Sequence, residues 1–308
     1  MSSSAELQRR ALIAVGIVVV AWGCSNVMIK AVPVGGLVAS FYRLWFSIPL
    51  LWLVPLLRPR VRRRLDRRWL YGSLVGGGLF ALHQVLFFSA LKQTTVANVA
   101  LIGALQPALV LLVSGRWLGE RVAPRAIGWS TVALAGTVLV VAGAAGVPGW
   151  SPRGDLLAVG NLVSFTAYFL ASKRIRRRAA ATDYLIGMTT VAGLIMLAIC
   201  LATGQQLGSP QGWQWAVLLT LALLPGTLGH FLLNWAHAHT SAFVVSILLL
   251  GVPVVACAGA ALWLDEYLNA PQLVGAAIVL VAVAAVVLSQ PRRQAEALAE
   301  SAAATDAP

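Results

Sequence analysis

Ten apolar stretches of about 20 residues each occupy most of this 308-residue chain, and charged residues, prolines and glycines separate them. A helix of about that length spans the roughly 30 Å of hydrocarbon in a lipid bilayer. The stretches are continuously apolar and lack the period-two alternation of barrel strands, so we predict an all-α, polytopic membrane protein. The predicted transmembrane segments, numbered 1 to 10, lie near residues 12–31, 36–57, 69–91, 96–116, 124–143, 154–172, 183–204, 212–233, 240–263 and 271–289.

The composition excludes a water-soluble domain, and the distribution of charge predicts the orientation in the membrane. Hydrophobic residues make up 59% of the chain and charged residues 11%. Lys and Arg accumulate in short cytoplasmic loops. With the N-terminus inside, 19 of the 23 basic residues fall on that side, whereas Lys30, Lys92 and Arg153 fall outside and Arg43 lies within a segment. We therefore predict a multi-pass protein of the inner (cytoplasmic) cell membrane with both termini in the cytoplasm.

The net charge of +13 has a simple explanation in this topology. Arginine clusters at the borders of transmembrane helices anchor the orientation and contact anionic membrane lipid. No separate basic domain is present to bind nucleic acid, so nucleic acid is not a predicted partner.

Features of the first half of the chain recur in the second half at a spacing of 146 residues. Pro107 and Glu120 correspond to Pro253 and Glu266, and Pro124 corresponds to Pro271 at a spacing one residue longer. Two copies of a unit with an odd number of helices insert in opposite orientations, so we predict two inverted five-helix repeats. The predicted organisation is an N-terminal cytoplasmic segment, residues 1–11, a first repeat, residues 12–146, a second repeat, residues 147–290, and a disordered cytoplasmic tail, residues 291–308.

Short motifs in both halves resemble those of one transporter family. The motifs are Trp22-Gly23 with Lys30, Phe41-Tyr42-Arg43, Pro107 with Leu118-Gly119-Glu120-Arg121, Gly154-Asp155-Leu156-Leu157, Lys173-Arg174, and Pro253 with Asp265-Glu266. The chain resembles a ten-helix, EamA-like member of the drug/metabolite transporter superfamily from about residue 12 to 289. The resemblance implies a carrier that moves small metabolites across the cell membrane, commonly outward, with amino acids a frequent cargo.

Polar and aromatic side chains within the segments predict where such a cargo binds. An unsatisfied polar group in hydrocarbon costs several kcal/mol, and inverted-repeat transporters bind their substrates near the bilayer midplane. Each residue alone is equally compatible with hydrogen bonding between helices, but the set favours a cavity for a zwitterion or polar organic solute with aromatic flanks. The candidate substrate-binding residues are Trp22, Asn26, Arg43, His83, Gln84, Phe87, Asn98, Gln106, Asn161, Tyr168, His230 and Asn234.

Four features of these segments carry more specific expectations. Pro107 and Pro253 are predicted to kink segments 4 and 9, and we interpret the kinks as gating points. Thr227, His230, Asn234 and His237 follow one another at steps of three, four and three, which puts them on one face of segment 8. Gly72 and Gly76 predict close helix packing. Glu120 and Glu266 are expected to cap the helices that begin near Pro124 and Pro271.

Two charged or titratable groups leave alternatives open. His83 and His230 could accept a coupling proton, because histidine titrates near neutral pH, or could only hydrogen-bond the substrate. Arg43 could attract an anionic carboxylate, or its guanidinium could reach the membrane surface or cap backbone carbonyls.

Several absences limit the function. No Asp or Glu lies deep in a segment, which disfavours proton-coupled antiport of organic cations. An intramembrane enzyme is also disfavoured, because the chain has no HExxH motif and neither His83 nor His230 has an acidic orienting partner nearby in the sequence. Cys24, Cys200 and Cys257 lack the spacing of metal ligands, so neither a metal nor a cofactor is predicted.

The predicted function is that of a secondary transporter, not an enzyme. We expect it to export small polar metabolites, amino acids or related compounds, by alternating access. A passive facilitator or channel for small solutes is the alternative. The predicted partners are a small-molecule substrate and membrane lipid, and the choice between monomer and homodimer stays open.

Overall fold

The computed structural model describes residues 3–57, 67–117, 124–176, 181–208, 210–237 and 248–288. Within these ranges all regular secondary structure is helical, as predicted. The helices are α1 (Ser3–Ala31), α2 (Gly36–Leu57), α3 (Arg67–Gln93), α4 (Val96–Gly103), α5 (Gln106–Trp117), α6 (Pro124–Gly143), α7 (Pro152–Arg176), α8 (Ala181–Ala202), α9 (Trp213–Leu221), α10 (Gly229–His237), α11 (Gly251–Trp263) and α12 (Ala270–Leu288), with a π-helical segment, Ala222–Leu228, between α9 and α10.

The described helices are those of a multi-pass membrane protein. Seven helical spans are long and apolar enough to cross a bilayer. Six of them lie within single helices, and the seventh runs from α9 through the π-helical segment into α10. Three shorter apolar helices lie within segments 4, 9 and 10. Each of the ten predicted segments therefore contains at least one described helix. The predicted tail, residues 291–308, and Glu120 lie outside the described residues.

Segments 4 and 9 are interrupted just before their prolines. Helix α4 ends at Gly103, and α5 begins one residue before Pro107. In segment 9 a turn at Leu250 precedes α11, so Pro253 also lies in the first turn of a helix. Proline is tolerated there because its missing N–H has no partner to bond within the helix. The breaks occupy equivalent places in the two halves, and their role in gating stays a prediction.

Segment 8 contains an irregularity that sequence reasoning did not predict. Residues Ala222–Leu228 form a π-helix with Pro225 inside it. The carbonyl oxygen of Ala222 accepts hydrogen bonds from Thr227 Oγ1 at 2.9 Å and from Ser47 Oγ at 3.2 Å. Because the predicted common face of Thr227 and His230 assumed a regular α-helix, that assumption is wrong for the part before Gly229.

The chain forms two compact units. Unit A comprises Met1–Val27, Thr95–Trp150 and Gly229–Pro308, and unit B comprises Met28–Thr94 and Ser151–Leu228. Each unit thus contains helices from both halves of the sequence. In unit A, α6 packs on α12 and α4 on α11, whereas in unit B, α3 packs on α7 and α8, and α2 packs on α8 and on the π-helical segment.

Glycines permit the close approach of helices α6 and α12 in unit A. A Cβ atom added at Gly275 would lie 2.7 Å from the carbonyl oxygen of Gly136 and 2.9 Å from the backbone nitrogen of Val140. Both neighbours are backbone atoms, which cannot rotate away. Apolar helices in lipid associate chiefly through such van der Waals contact, so the small residues set the distance between these two helices.

Glycines have the same role where α3 meets α7 and α8 in unit B. A Cβ atom at Gly72 would lie 2.8 Å from Cγ2 of Ile175, and one at Gly76 would overlap the ring of Tyr184. This confirms the predicted close packing at both glycines. The apolar core of the unit lies beside these contacts and includes Phe41, Leu44, Phe80, Met188 and Met196.

The helix ends show one correction to the expected caps. Glu266 does not provide the cap of α12; its Oε2 accepts a hydrogen bond from the backbone N–H of Val96 at 2.8 Å, at the start of α4. Asn269 caps α12 instead, because its Oδ1 accepts from the N–H of Gln272 while Gln272 Oε1 accepts from the N–H of Asn269. The expectation for Glu266 was wrong because Asn269, which is nearer to α12 in the sequence, supplies that cap. The sequence does not show that Glu266 lies beside the start of α4.

We predict that Gly275→Ala destabilises the protein. The new methyl group would overlap backbone atoms of α6, and overpacking of this kind lowers the free energy of unfolding by about 1–3 kcal/mol. Thermal unfolding in detergent would measure the loss. Gly128→Ala is the matched control on α6, since a Cβ atom there meets no described atom within 4 Å. An unfolding temperature of Gly275→Ala equal to that of the control would contradict the prediction.

Candidate functional site

A polar pair lies among aromatic rings in unit B. His83 on α3 and Asn161 on α7 face each other, and His83 Nδ1 lies 2.6 Å from Asn161 Oδ1. Asn161 is buried and His83 is half-buried. If Asn161 Oδ1 accepts, the Nδ1–H of His83 donates and Nε2 is left as the acceptor of the ring. The structure thus joins two residues that the sequence named separately.

Aromatic rings surround this pair. The His83 ring stacks on Phe87 at 5.6 Å and lies 4.7 Å from the ring of Phe165, measured between centroids. Phe80 lies 5.6 Å from His83 and 5.1 Å from Tyr168. These separations are those of favourable aromatic pairs. We call Phe80, His83, Phe87, Phe165 and Tyr168 the aromatic cluster; Phe87 and Tyr168 were among the predicted site residues.

Arg43 lies at the same site in unit B. Its Cζ atom is 5.9 Å from the centroid of the Phe88 ring, and Phe88 lies 5.8 Å from Phe87 of the cluster, measured between centroids. Within the described part of the chain, Arg43 has no carboxylate partner and its side chain makes no hydrogen bond. A cation within a membrane span that lacks a partner is a candidate for ligand binding.

Gln84 and Ser40 bring further unsatisfied polar atoms into unit B. Gln84 is fully buried, and neither its amide nitrogen nor its amide oxygen bonds to any described residue. The hydroxyl of the buried Ser40 is likewise unpaired in the described structure. Buried polar groups are normally satisfied, so Gln84 has the property expected of a residue that meets a ligand or a bound water.

A second group of predicted residues lies in unit A. The rings of Trp22 on α1 and His230 on α10 are 5.2 Å apart between centroids. Asn26 is buried and donates from Nδ2 to the carbonyl oxygen of Trp22 at 2.8 Å, while its Oδ1 has no partner within the described ranges. Asn98 is fully buried on α4, and Gln106 is half-buried at the first residue of α5.

Asn234 has its backbone in α10, and its side chain lies outside the described structure. Its predicted part in the site is therefore not tested. No group of three or more His, Cys, Asp or Glu residues that could hold a metal ion occurs in the residues described.

Residues near the ends of α1, α3 and α7 form a network that the sequence did not predict. Lys30 Nζ donates to the carbonyl oxygen of Thr94 at 2.6 Å, and Lys92 Nζ donates to the carbonyl oxygens of Lys30 at 3.3 Å and of Val32. Thr94 Oγ1 donates to Asp155 Oδ1 at 2.7 Å. The two lysines thus satisfy carbonyl groups at helix ends, which helix geometry leaves without partners.

The fold and the site together define the class of this protein. The chain is a multi-pass helical membrane protein whose spans contain buried polar side chains, a cation with no carboxylate partner among the described residues, and a cluster of aromatic rings. Intramembrane polar groups of this kind mark substrate pathways in transporters. The sequence matches the EamA-like transporter family over residues 9–142 and 152–288, and the chain belongs to that family. The family is one of transporters and not of enzymes.

Two kinds of exporter are similar to this chain. It is 28% identical over 190 residues to the aromatic amino acid exporter YddG of Ancylobacter novellus, a match that covers 61% of this chain and 64% of that exporter, slightly less than two thirds of its length. It is 28% identical over 244 residues to the pseudopaline exporter CntI of Pseudomonas aeruginosa, covering 78% of this chain and 82% of that exporter.

A solved crystal structure of a protein has the same fold. It superposes with a TM-score of 0.62 at 23% identity and covers 91% of this chain and 98% of its own. At this identity the similarity concerns the fold alone.

We predict that Asn161→Leu destabilises the protein and that a second substitution, His83→Leu, restores most of the loss. The single change removes the hydrogen-bond partner of His83, which costs about 1–3 kcal/mol for a buried group, whereas apolar replacement of both partners is nearly neutral. Thermal unfolding of the two single variants and the double variant would measure the coupling. Strictly additive losses in the double variant would show that the two side chains do not depend on each other.

Proposed function

We propose that this protein is a secondary transporter that exports small polar metabolites, with amino acids as the first candidates, by alternating access across the inner membrane. The observation that carries the proposal is the site in unit B, where a hydrogen-bonded polar pair, an aromatic cluster and Arg43, which has no carboxylate partner in the described part of the chain, lie within membrane spans. Membership of the EamA-like transporter family supports it, as do the exporter activities of the two similar proteins.

The proposed architecture has two inverted five-helix repeats, residues 12–146 and 147–290, with both termini in the cytoplasm. The recurrence of features at 146 residues supports this arrangement. Helices from equivalent segments of the two halves also pack on each other within one unit: α2 on α8 from segments 2 and 7, α4 on α11 from segments 4 and 9, and α6 on α12 from segments 5 and 10. The distribution of basic residues supports the orientation.

The chemistry of the site supports an aromatic amino acid as cargo. Rings of the aromatic cluster would pack on an aromatic side chain, as aromatic pairs do at these separations. The His83–Asn161 pair and Gln84 would supply hydrogen bonds to polar groups of the cargo. One similar protein exports aromatic amino acids, which agrees with this choice. In unit A, Trp22, Asn26 and His230 are the candidate contacts.

The breaks before Pro107 and Pro253 are proposed as the points where helices bend during transport. The helices are already interrupted before these prolines, so the chain bends there at lower cost than within a continuous helix. Their equivalent positions in the two halves support a paired role.

Counterflow in proteoliposomes tests the proposal. Vesicles loaded with one unlabelled amino acid would be diluted into the same labelled amino acid, over a panel that includes phenylalanine, tryptophan and alanine, with and without a pH gradient. We expect saturable accumulation of labelled phenylalanine. An absence of exchange for every member of the panel would reject amino acids as cargo.

The same experiment separates the alternative functions. A coupled transporter in which His83 or His230 carries a proton requires accumulation that depends on the pH gradient. A passive facilitator exchanges its solute without that dependence. Flux that rises linearly with solute concentration indicates a channel, because a channel does not saturate as a carrier does.

We predict that Phe87→Ala raises the KM for phenylalanine about 2- to 12-fold, since one aromatic contact contributes about 0.5–1.5 kcal/mol. The KM for alanine, which has no ring to pack on Phe87, should change less. Initial rates in the same vesicles give both values. Phe231→Ala is the matched control, because Phe231 is 61% exposed on α10. Equal changes for the two solutes would argue against an aromatic binding surface at Phe87.

A further inference from the structure

Helices α2 and α3 of unit B pack on each other, and two contacts fix how they are aligned. At the first, a Cβ atom added at Gly36 would lie 2.8 Å from the carbonyl oxygen of Phe88, so the start of α2 touches the backbone of α3. At the second, Leu44 and Phe80 are both buried in the apolar core of the unit. Residue numbers rise from 36 to 44 on α2 while they fall from 88 to 80 on α3, so the two helices run antiparallel.

Ser40 and Gln84 lie midway between these two contacts, one on each helix. Ser40 follows Gly36 by one helical turn. Gln84 precedes Phe88 by one turn. Residues four apart share a face of a helix, so each of the two side chains lies on the face that meets the other helix. Ser40 and Gln84 therefore face each other across the interface, and both are fully buried there.

The polar atoms of these two side chains have no partner within the described structure. Ser47 and Ser73 donate to the carbonyl oxygen four residues earlier on their own helices, but Ser40 does not. Neither the nitrogen nor the oxygen of the Gln84 amide forms a hydrogen bond to a described residue, and the two side chains do not bond each other. Three buried polar atoms from facing helices thus need a common partner.

The chemistry of the three atoms selects that partner. The Gln84 amide has N–H donors and an oxygen acceptor, and the Ser40 hydroxyl can donate or accept. A metal cation would leave the amide N–H groups without an acceptor, whereas an anion would leave the amide oxygen without a donor. Water both donates and accepts, and a buried water takes about two to four hydrogen bonds. It is also small enough for a site that two fully buried side chains enclose.

We propose that Ser40 and Gln84 bind a water molecule between α2 and α3. The water joins the two side chains and satisfies their polar atoms. This site differs from the pair on α3 and α7, because His83 bonds Asn161 whereas the next residue, Gln84, faces α2. One water uses at most one N–H group of the amide, so the second stays available to a cargo. The inference goes beyond the proposed function, since it concerns the packing of α2 on α3 and requires no cargo.

A double-mutant cycle in thermal unfolding tests the water site. Ser40→Ala and Gln84→Met each remove one partner of the water without lengthening the side chain. Each should lower the unfolding temperature in detergent by about 2–4 °C, as expected for one lost hydrogen bond. The double variant should lose less than the sum, because no polar group is then left without a partner. Strictly additive losses would overturn the shared water. Unfolding temperatures at or above wild type in both single variants would overturn it as well, because removing a polar group that has no partner relieves a cost.

Ser73→Ala is the matched control on α3. Ser73 is buried like Ser40, but its hydroxyl donates to the carbonyl oxygen of Trp69 on its own helix. It lies about 16 Å along the helix from Gln84. Its effect should therefore add to that of Gln84→Met. A coupling between these two changes as large as that between Ser40→Ala and Gln84→Met would overturn the proposal, because it would not require facing side chains.

A high-resolution structure separates the water from a direct bond, which would give the same coupling. We expect a peak of solvent density within hydrogen-bonding distance of Ser40 Oγ and the Gln84 amide, and no such peak in the double variant. A direct hydrogen bond between the two side chains, or an interface without solvent density, would overturn the proposal. If Gln84→Met does not reach the membrane, Ser40→Ala and the wild-type density decide.

These measurements use no cargo. Failure to exchange any amino acid would therefore reject the proposed function alone, and a dry interface would reject only this inference.

Discussion

Hydrogen bonding of the backbone in a medium without water is the constraint on which the rest of this structure depends. In hydrocarbon every N–H and C=O group needs a partner within the protein, so the apolar segments form helices. The exceptions are the breaks before Pro107 and Pro253 and the π-helical segment around Pro225. At the last of these, Ser47 and Thr227 supply hydroxyl groups to a carbonyl oxygen that the π-helix exposes. At this segment, therefore, side chains from its own turn and from α2 satisfy the irregular backbone.

Close packing determines how the polar groups of each unit are held. In lipid there is no hydrophobic driving force for apolar helices to associate. Van der Waals contact at small residues therefore stabilises their packing. Gly136 and Gly275 bring α6 and α12 together in unit A, and Gly72 and Gly76 bring α3 towards α7 and α8 in unit B. The approach of α3 to α7 is also what sets His83 within hydrogen-bonding distance of Asn161. The packing glycines and the polar pair are therefore parts of one arrangement.

The proposed site combines polar and charged side chains, whose burial without a partner is unfavourable, with aromatic rings, whose burial is favourable. The aromatic cluster is stable in an apolar environment without a ligand. Arg43 and Gln84 are not satisfied by any described residue, and a zwitterion with an aromatic side chain would complement both kinds of group. This combination distinguishes the site from an interface that only holds helices together, because such an interface would satisfy its own polar atoms.

The sequence alone predicted the helical class, the location of the described spans and the family resemblance, and it named His83, Asn161 and Arg43, which the structure brings into one unit. These follow from hydropathy and from spacing along single helices, which local chemistry controls. Tertiary structure decided the rest. The π-helix was not predicted. Pro225 has no counterpart 146 residues earlier, and the sequence signal for an irregular helix was Pro225-Gly226 within an apolar run. The hydrogen bond from Ser47 to the π-helix, the contact of Glu266 with Val96 and the division of the candidate residues between two units all depend on which helices pack together. Spacing along a helix determines which of its residues share a face. It does not determine which other helix packs on that face, and the packed helix supplies the hydrogen-bond or contact partner.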